Sequence, residues 1–223
     1  MKVKILGISG SHRKDRNTSF LVNEALEAAK EAKGEVETEF IELAGKDLRH
    51  CAHCEKCEKE YAEMGYKAYI PECGVKDFMQ EVYPEIIEAD GIIVGSPVFI
   101  STVSSRTKAF LDRLSPLMLK RVFQYKVGGA IAVAYFRDGG QDLTVQDILN
   151  SMRFLGFITV SGLLHGGTGV SGPPFGPHAG KDVEKRITGV KTDEHGIRTA
   201  RILGRRVADV CLVVKGGMAA LGK

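Results

Sequence analysis

Hydrophobic and polar positions along the chain fall into two regimes. Val3–Leu6, Gly91–Gly95 and Val127–Val133 are nearly continuous apolar runs, the pattern of strands covered on both faces. Residues Glu35–Phe40 instead alternate charged and apolar side chains, as a strand with one wet face does at a sheet edge. Between the runs the period becomes helical. Val22, Ala25, Leu26 and Ala29 recur after Phe20, with Gly34 as a stop; Phe78, Val82 and Ile86 mark a helix over residues 77–88; another is expected over 104–114. Val145, Ile148, Leu149 and Met152 form the inner face of the next helix, and a fifth strand is expected near Phe157–Val160. A closing helix carries Ile197, Ala200, Leu203, Val207, Val210 and Val214 as one stripe, with Cys211 beside it as core. Strands alternating with helices around buried central strands predict an α/β fold with a doubly wound parallel sheet, its ligands at the carboxyl ends of the strands.

The first such end is the loop Gly7–Ser19, which lies between the first strand and the first helix. A new helix points unpaired N–H groups and the positive end of its dipole into that loop. Ser9, Ser11, Thr18 and Ser19 add hydroxyls, and Asn17 is placed to cap the helix. The loop has neither the Gly-Lys-Ser/Thr ending of a triphosphate loop nor the three-glycine dinucleotide spacing, so a terminal monophosphate suits it better than a pyrophosphate. An ordinary turn whose serines only cap is the plainer alternative. Two further strand ends can flank a flat ring: Ser96, Pro97, Val98, Phe99, Ile100 and Ser101, where proline stiffens a turn, and Tyr135–Gln141, where Gly139 and Gly140 allow close backbone approach. A buried strand end and a ligand-free turn remain the alternatives at these two places. The aperiodic stretch His165–Gly180 reads as a lid or an oligomer contact, with His165 and His178 as loop residues. On the 104–114 helix, Arg106, Lys108 and Arg113 read as a solvated face, as do Arg198, Arg201, Arg205 and Arg206 on the last.

Composition narrows the partners. The chain of 223 residues has a net charge of +3 with both signs spread along it, which leaves no electrostatic footprint for nucleic acid and is consistent with a small anionic ligand. No apolar stretch is long enough to span a bilayer, so a cytoplasmic protein without membrane attachment is expected, and residues 1–223 read as one domain.

Of five cysteines, four lie in a segment that interrupts the pattern, an insertion over residues 46–75 after the second strand. Cys51, Cys54 and Cys57 are spaced C-x2-C-x2-C, and Cys73 follows after fifteen intervening residues. In a reducing compartment this argues for metal or redox chemistry rather than disulfides. Three thiolates at that spacing can wrap three corners of an iron–sulfur cube, with Cys73 as the fourth ligand. Zinc on the cysteines, with His50 or His53, and a redox-active pair of Cys51 and Cys54 stay open.

Taken in order, Gly10-Ser11-His12-Arg13 with Asn17-Thr18, the Cys51/Cys54/Cys57 run, Ala89–Val98, Lys108–Arg113 and Gly139-Gly140-Gln141 resemble the iron–sulfur flavoproteins, a branch of the NADPH-dependent FMN reductases. The resemblance covers nearly the whole chain. It implies a flavodoxin-like five-stranded parallel sheet that binds FMN non-covalently. Ser9, Ser11, Arg13, Asn17, Thr18 and Ser19 would hold the phosphate, and the ring would lie between Ser96–Ser101 and Tyr135–Gln141. It further implies homodimers or homotetramers, and a [4Fe–4S] cluster on Cys51, Cys54, Cys57 and Cys73 that exchanges electrons with FMN. The redox partner would be NAD(P)H, ferredoxin or a quinone, and the flavin itself would carry the chemistry. The chain departs from the family pattern in the long separation before Cys73 and in His12, where a proline is common. Alternatives are a cluster-free NAD(P)H:FMN or quinone reductase, and a non-catalytic module with structural zinc. A DNA-associated regulator has neither a recognition helix nor a basic cluster behind it.

Overall fold

The computed structural model describes residues 1–64, 72–162, 166–170 and 189–222. Its elements are β1 (Lys2–Ser9), α1 (Asn17–Ala29), β2 (Glu35–Glu42), α2 (Lys56–Met64), α3 (Met79–Glu88), β3 (Gly91–Phe99), β4 (Thr102–Val103), α4 (Ser105–Asp112), α5 (Ser115–Leu119), β5 (Val127–Ala134), α6 (Gln141–Leu155), β6 (Ile158–Thr159), β7 (Gly167–Val170) and α7 (Glu194–Ala220). The strands run parallel in the order β2-β1-β3-β5, and the place beyond β5 is shared by β6 and β7. Among the described strands only β4 is antiparallel, folded back on the end of β3. The order reverses between β1 and β3, so the crevice of the switch point opens where Ser9 pairs with Gly95.

The apolar runs are strands because both faces are covered. Leu21, Val22 and Ala25 of α1 and Leu203 and Val207 of α7 pack on Ile5, Ile93 and Ile131. On the other face Val82, Ile86, Phe110, Ile148 and Met152 pack on Leu6, Ile8, Ile92 and Val94. Cys211 is core, as expected, and burial pushes its thiol up to about 12. The alternating strand β2 does take the edge.

Several local expectations are corrected. Arg16, not Asn17, is the N-cap of α1, and it provides no side-chain cap; the Asn17 amide oxygen is turned instead to the amide of Val190, at 3.3 Å. The helix ends at Ala29 without Gly34, whose lack of a side chain makes room for Leu212. The cysteine segment is not aperiodic throughout. Residues Lys56–Met64 form α2, in which Cys57, Tyr61 and Met64 recur at helical spacing among charged residues and none is buried, and the pairs Lys56–Glu60 and Glu55–Lys59 support it. Pro97 sits within β3, past the point where β1 has ended, so its missing donor is tolerated there. The turn comes later, at Ile100 and Ser101. Within the stretch 165–180, Gly167–Val170 is a strand against β5; its glycines fit close under Ile131, Leu21 and Val190 and left no apolar signal. His165, His178 and the rest of that stretch beyond Val170 lie outside the described residues. Among the described residues no helix is long and apolar enough to cross a membrane.

Candidate functional site

The loop after β1 is held open by its own buried hydrogen bonds. Gly10 N donates to Gly95 O at 2.8 Å, which fastens the loop to the neighbouring strand end. Ser104 Oγ donates to Gly10 O at 2.8 Å, and Thr107 Oγ1 donates to Ser96 Oγ at 2.9 Å, so three buried hydroxyls tie the loop, the end of β3 and the start of α4 together. Ser104 also caps α4, accepting from Thr107 N at 3.2 Å. Below the loop, Ser9 Oγ and Ser19 Oγ lie 3.0 Å apart, and Ser19 Oγ donates to Glu42, which also accepts from Asp15 N at 2.8 Å. Ser9 and Ser19 are thus part of the loop's scaffold. Ser11 and Thr18 are buried, Asn17 is half-buried and Arg13 is exposed. α1 has no side-chain cap and no acidic residue in its own first turn, so the positive end of its dipole is directed into the loop, with the Glu42 carboxylate as the neighbouring negative charge.

Two turns border the same crevice. Pairing of Val98 with Val103 and Phe99 with Thr102 closes a two-residue hairpin in which Ile100 and Ser101 have φ of 49° and 60°. That conformation is rare for a β-branched residue, and the Ile100 side chain is 97% exposed. His12 from the first loop stacks on Phe99 at 5.2 Å and lies 3.2 Å from Ser105 Oγ; burial, and then Arg106, lower its pKa from 6.5. Opposite, Gly140 has φ of 97°, and a Cβ there would sit 2.7 Å from Ser101 Cα, so the two turns meet backbone to backbone. Gln141 is buried and closes its turn, accepting from Gly139 N at 2.9 Å and donating to Phe136 O at 2.7 Å. The Gly139 amide is therefore used within the turn, and donors toward a ring edge fall to the first turn of α6, which has no side-chain cap. Tyr135 is half-buried, its ring edge-on to the exposed Phe136.

The cysteine segment lies by the other end of α4. Here the expected solvated face is overturned. Lys108 does reach Asp112, but Arg106 bonds back to the carbonyls of Leu43 and Lys46, and Arg113 is 1% exposed. Arg113 Nε donates to Cys73 Sγ at 3.2 Å, and its two terminal nitrogens pair with both oxygens of Asp77 at 2.7 and 2.9 Å. They also donate to Arg49 O and Val75 O, both at 2.9 Å. Burial works against the Asp77 carboxylate, but Arg113 and the amides of Arg49 and Met79 outweigh it and hold the carboxyl below its usual range. Cys73 is buried, Cys57 half-buried, and Cys51 and Cys54 are exposed. Cys54 Sγ lies against Gly74, where a Cβ would be 2.7 Å away. Burial, and next the neighbouring Cys73, raise the Cys57 thiol. Cys54 thus lies beside residue 74, next to the buried Cys73, while Cys51 is exposed. Among the described residues no three His, Cys, Asp or Glu side chains converge as a finished metal-ion pocket. The donor set itself, all thiols beside a buried cation, has the chemistry of an iron–sulfur ligand set.

Arg113 is the functional candidate that the sequence reading misplaced. Its signal was present: counted along α4 it falls three residues after Phe110 and four after Ala109, on the buried stripe.

Among solved structures, a WrbA-like flavodoxin of Agrobacterium tumefaciens superposes with a TM-score of 0.61 at 17% identity, covering 95% of this chain and 97% of its own. Sheet order and switch-point loop define a flavodoxin-like α/β protein. Residues 3–169 match the NADPH-dependent FMN reductase family, and an iron–sulfur flavoprotein of Methanocaldococcus jannaschii is 38% identical, covering 96% of this chain and all of its own length. The chain belongs to the NADPH-dependent FMN reductase family, in its iron–sulfur flavoprotein branch, and is an FMN-dependent oxidoreductase. A second iron–sulfur flavoprotein, from Archaeoglobus fulgidus, is 37% identical over 95% of this chain and 99% of its own.

Proposed function

We propose that the protein passes electrons between FMN, held at the switch point, and a [4Fe–4S] cluster on Cys51, Cys54, Cys57 and Cys73. FMN supplies exchange of two electrons or one, and the cluster exchange of one at a time, which is the reason to house both in one chain. Ser11, Arg13, Asn17, Thr18 and the uncapped amides of α1 hold the phosphate, with Ser9 and Ser19 supporting them from below. Pro97, Val98, Phe99 and Ile100 wall one side of the ring, with Ser96 locking them in place, and Tyr135, Gly139, Gly140 and Gln141 frame the other side. The first-turn amides of α6 offer donors to a reduced, anionic ring edge. The reductant or oxidant is a small redox partner such as NAD(P)H, ferredoxin or a quinone.

The observation that carries this reading is α4 itself, whose capped start belongs to the flavin crevice and whose end grips the cysteine segment. An absorption spectrum of anaerobically purified protein tests it, with iron, sulfide, zinc and released flavin quantified on the same sample. Flavin bands over a broad iron–sulfur shoulder, with about four iron and four sulfide per chain, is the expected result. Flavin with zinc or without metal leaves a cluster-free NAD(P)H:FMN or quinone reductase, the reading favoured by the outward position of Cys51.

A further inference from the structure

The Arg113–Asp77 pair is the most deeply buried charge pair in the described structure, with both side chains fully covered. Such a pair contributes little net stability, because desolvation offsets its attraction, and a well-packed apolar pair would serve as well or better. Stability alone therefore gives no reason to keep it. What it does geometrically is specific. Both terminal nitrogens are committed, to the Asp77 carboxylate and to the carbonyls of Arg49 and Val75. With the planar fork fixed at those acceptors, the direction of the remaining N–H, on Nε, is fixed too, and it points at Cys73 Sγ. A lysine has no such fork. The same contacts join the chain just before Cys51, at Arg49, to the chain just after Cys73, at Val75 and Asp77; Asp77 closes the strap by accepting from Arg49 N at 2.9 Å. Tyr83 completes it from α3, donating to Arg113 O at 2.8 Å.

We propose that Arg113 is the positioning residue of the cluster site: it aims the Cys73 sulfur through an N–H···S hydrogen bond and holds together the two ends of the segment that carries the ligands. The proposal rests on the reading of Cys73 as a ligand. Outer partners of metal ligands act in this way, orienting the ligand and tuning the metal. A donor and a buried positive charge beside a ligand sulfur favour the more negative, reduced state of a cluster, so removing them lowers its reduction potential.

The test compares Arg113→Met, Arg113→Lys, Asp77→Asn and Cys73→Ala in the full-length protein, each reconstituted anaerobically with iron and sulfide. The readouts are flavin per chain, iron per flavin, the electron paramagnetic resonance spectrum of the dithionite-reduced protein and the cluster potential from a redox titration. Expected for Arg113→Met is unchanged flavin, iron affinity lowered about 10- to 100-fold, and a residual cluster with an altered spectrum and a lower potential. Arg113→Lys keeps the charge without the fork, so its potential should lie between. Asp77→Asn, which leaves Arg113 in place but loosens it, should lose iron by a smaller factor, and it decides the matter if Arg113→Met does not fold. Wild-type iron, spectrum and potential in both Arg113 variants overturn the proposal. Equal loss of flavin and iron in every Arg113 and Asp77 variant also overturns it, since that marks general support of the fold. Full iron in Cys73→Ala overturns the ligand reading instead, and the positioning role with it.

Discussion

The two ends of α4 meet two differently built regions. At its start, the flavin crevice is closed on itself: Gly10, Ser96, Ser104 and Thr107 are joined by buried hydrogen bonds, and the hairpin and the Gly140 turn touch backbone to backbone. At its end, Cys73 is gripped by Arg113 and Cys54 rests on Gly74, while Cys51 stays exposed. On the proposed function, the contrast matches what each ligand asks of the chain. A phosphate and a flat ring are bound by backbone amides and close approach, which a rigid fold provides in advance. On the proposed function, a cluster would supply much of its own site by coordination, so one anchored sulfur could suffice as its starting point. Preorganisation is thus concentrated where the ligand cannot do the organising.

The sharpest way to break this contrast is Cys54→Ala. If the regions are separate, iron is lost while flavin per chain stays at the wild-type level, as read by metal analysis and the released-flavin spectrum of one sample. Flavin lost in parallel with iron would mean that the crevice depends on the cysteine segment, and the two regions would be one. The converse substitution is Gly10→Ala, which places a methyl against the Thr107 side chain and within 3.1 Å of its Cα. Overpacking of this kind costs about 1–3 kcal/mol, and because it separates the loop from α4 the expectation is FMN affinity weakened up to about 100-fold. Fluorescence titration of the apoprotein with FMN measures it; wild-type affinity would show that the Gly10 contact does not shape the crevice.

Ser104→Ala is milder and tests the hydrogen-bond lock rather than its packing. It removes the α4 cap and the hydroxyl donor to Gly10 O, while Thr107 Oγ1 remains 3.4 Å away as a weaker partner. Loss of about 1–2 kcal/mol of stability is expected, from the cap and the weakened pairing of the buried carbonyl, visible as a lower urea midpoint without a change in slope. An unchanged midpoint would mean that the crevice is not held by this network.

How far each region could be read from residues alone follows the same division. The strands were legible because Val3–Leu6, Gly91–Gly95 and Val127–Val133 are covered on both faces, and the crevice followed from their ends. α2 was overlooked because its short Cys57–Tyr61–Met64 stripe lies among charged residues and buries nothing, and β7 because its glycines let neighbours approach. Arg113 was misplaced for a different reason. Charge was weighed above position, although spacing put it on the buried stripe with Ala109 and Phe110. A charged residue on an apolar stripe marks a buried pairing, and its partner Asp77 lay at the edge of the cysteine segment.

The smallest effect expected concerns Ile100. A two-residue hairpin with both central φ values positive favours Asn or Gly at its first position, yet this chain places there an isoleucine with φ of 49° and nearly all of its side chain in solvent. Among the described residues the Ile100 side chain is almost fully exposed, and on the proposed function it is the bound ring that it would touch. Ile100→Asn should therefore stabilise the apoprotein, by about 0.5–1 kcal/mol from strain relief, and at the same time weaken FMN binding by removing an apolar wall. The two signs are opposite, and chemical denaturation of the apoprotein together with FMN titration reads both. Greater stability with unchanged affinity would remove Ile100 from the ring site; lower stability would show that the hairpin is not strained. The expected pair of results places Ile100 with the crevice, as a residue kept against its backbone preference for the sake of the ring.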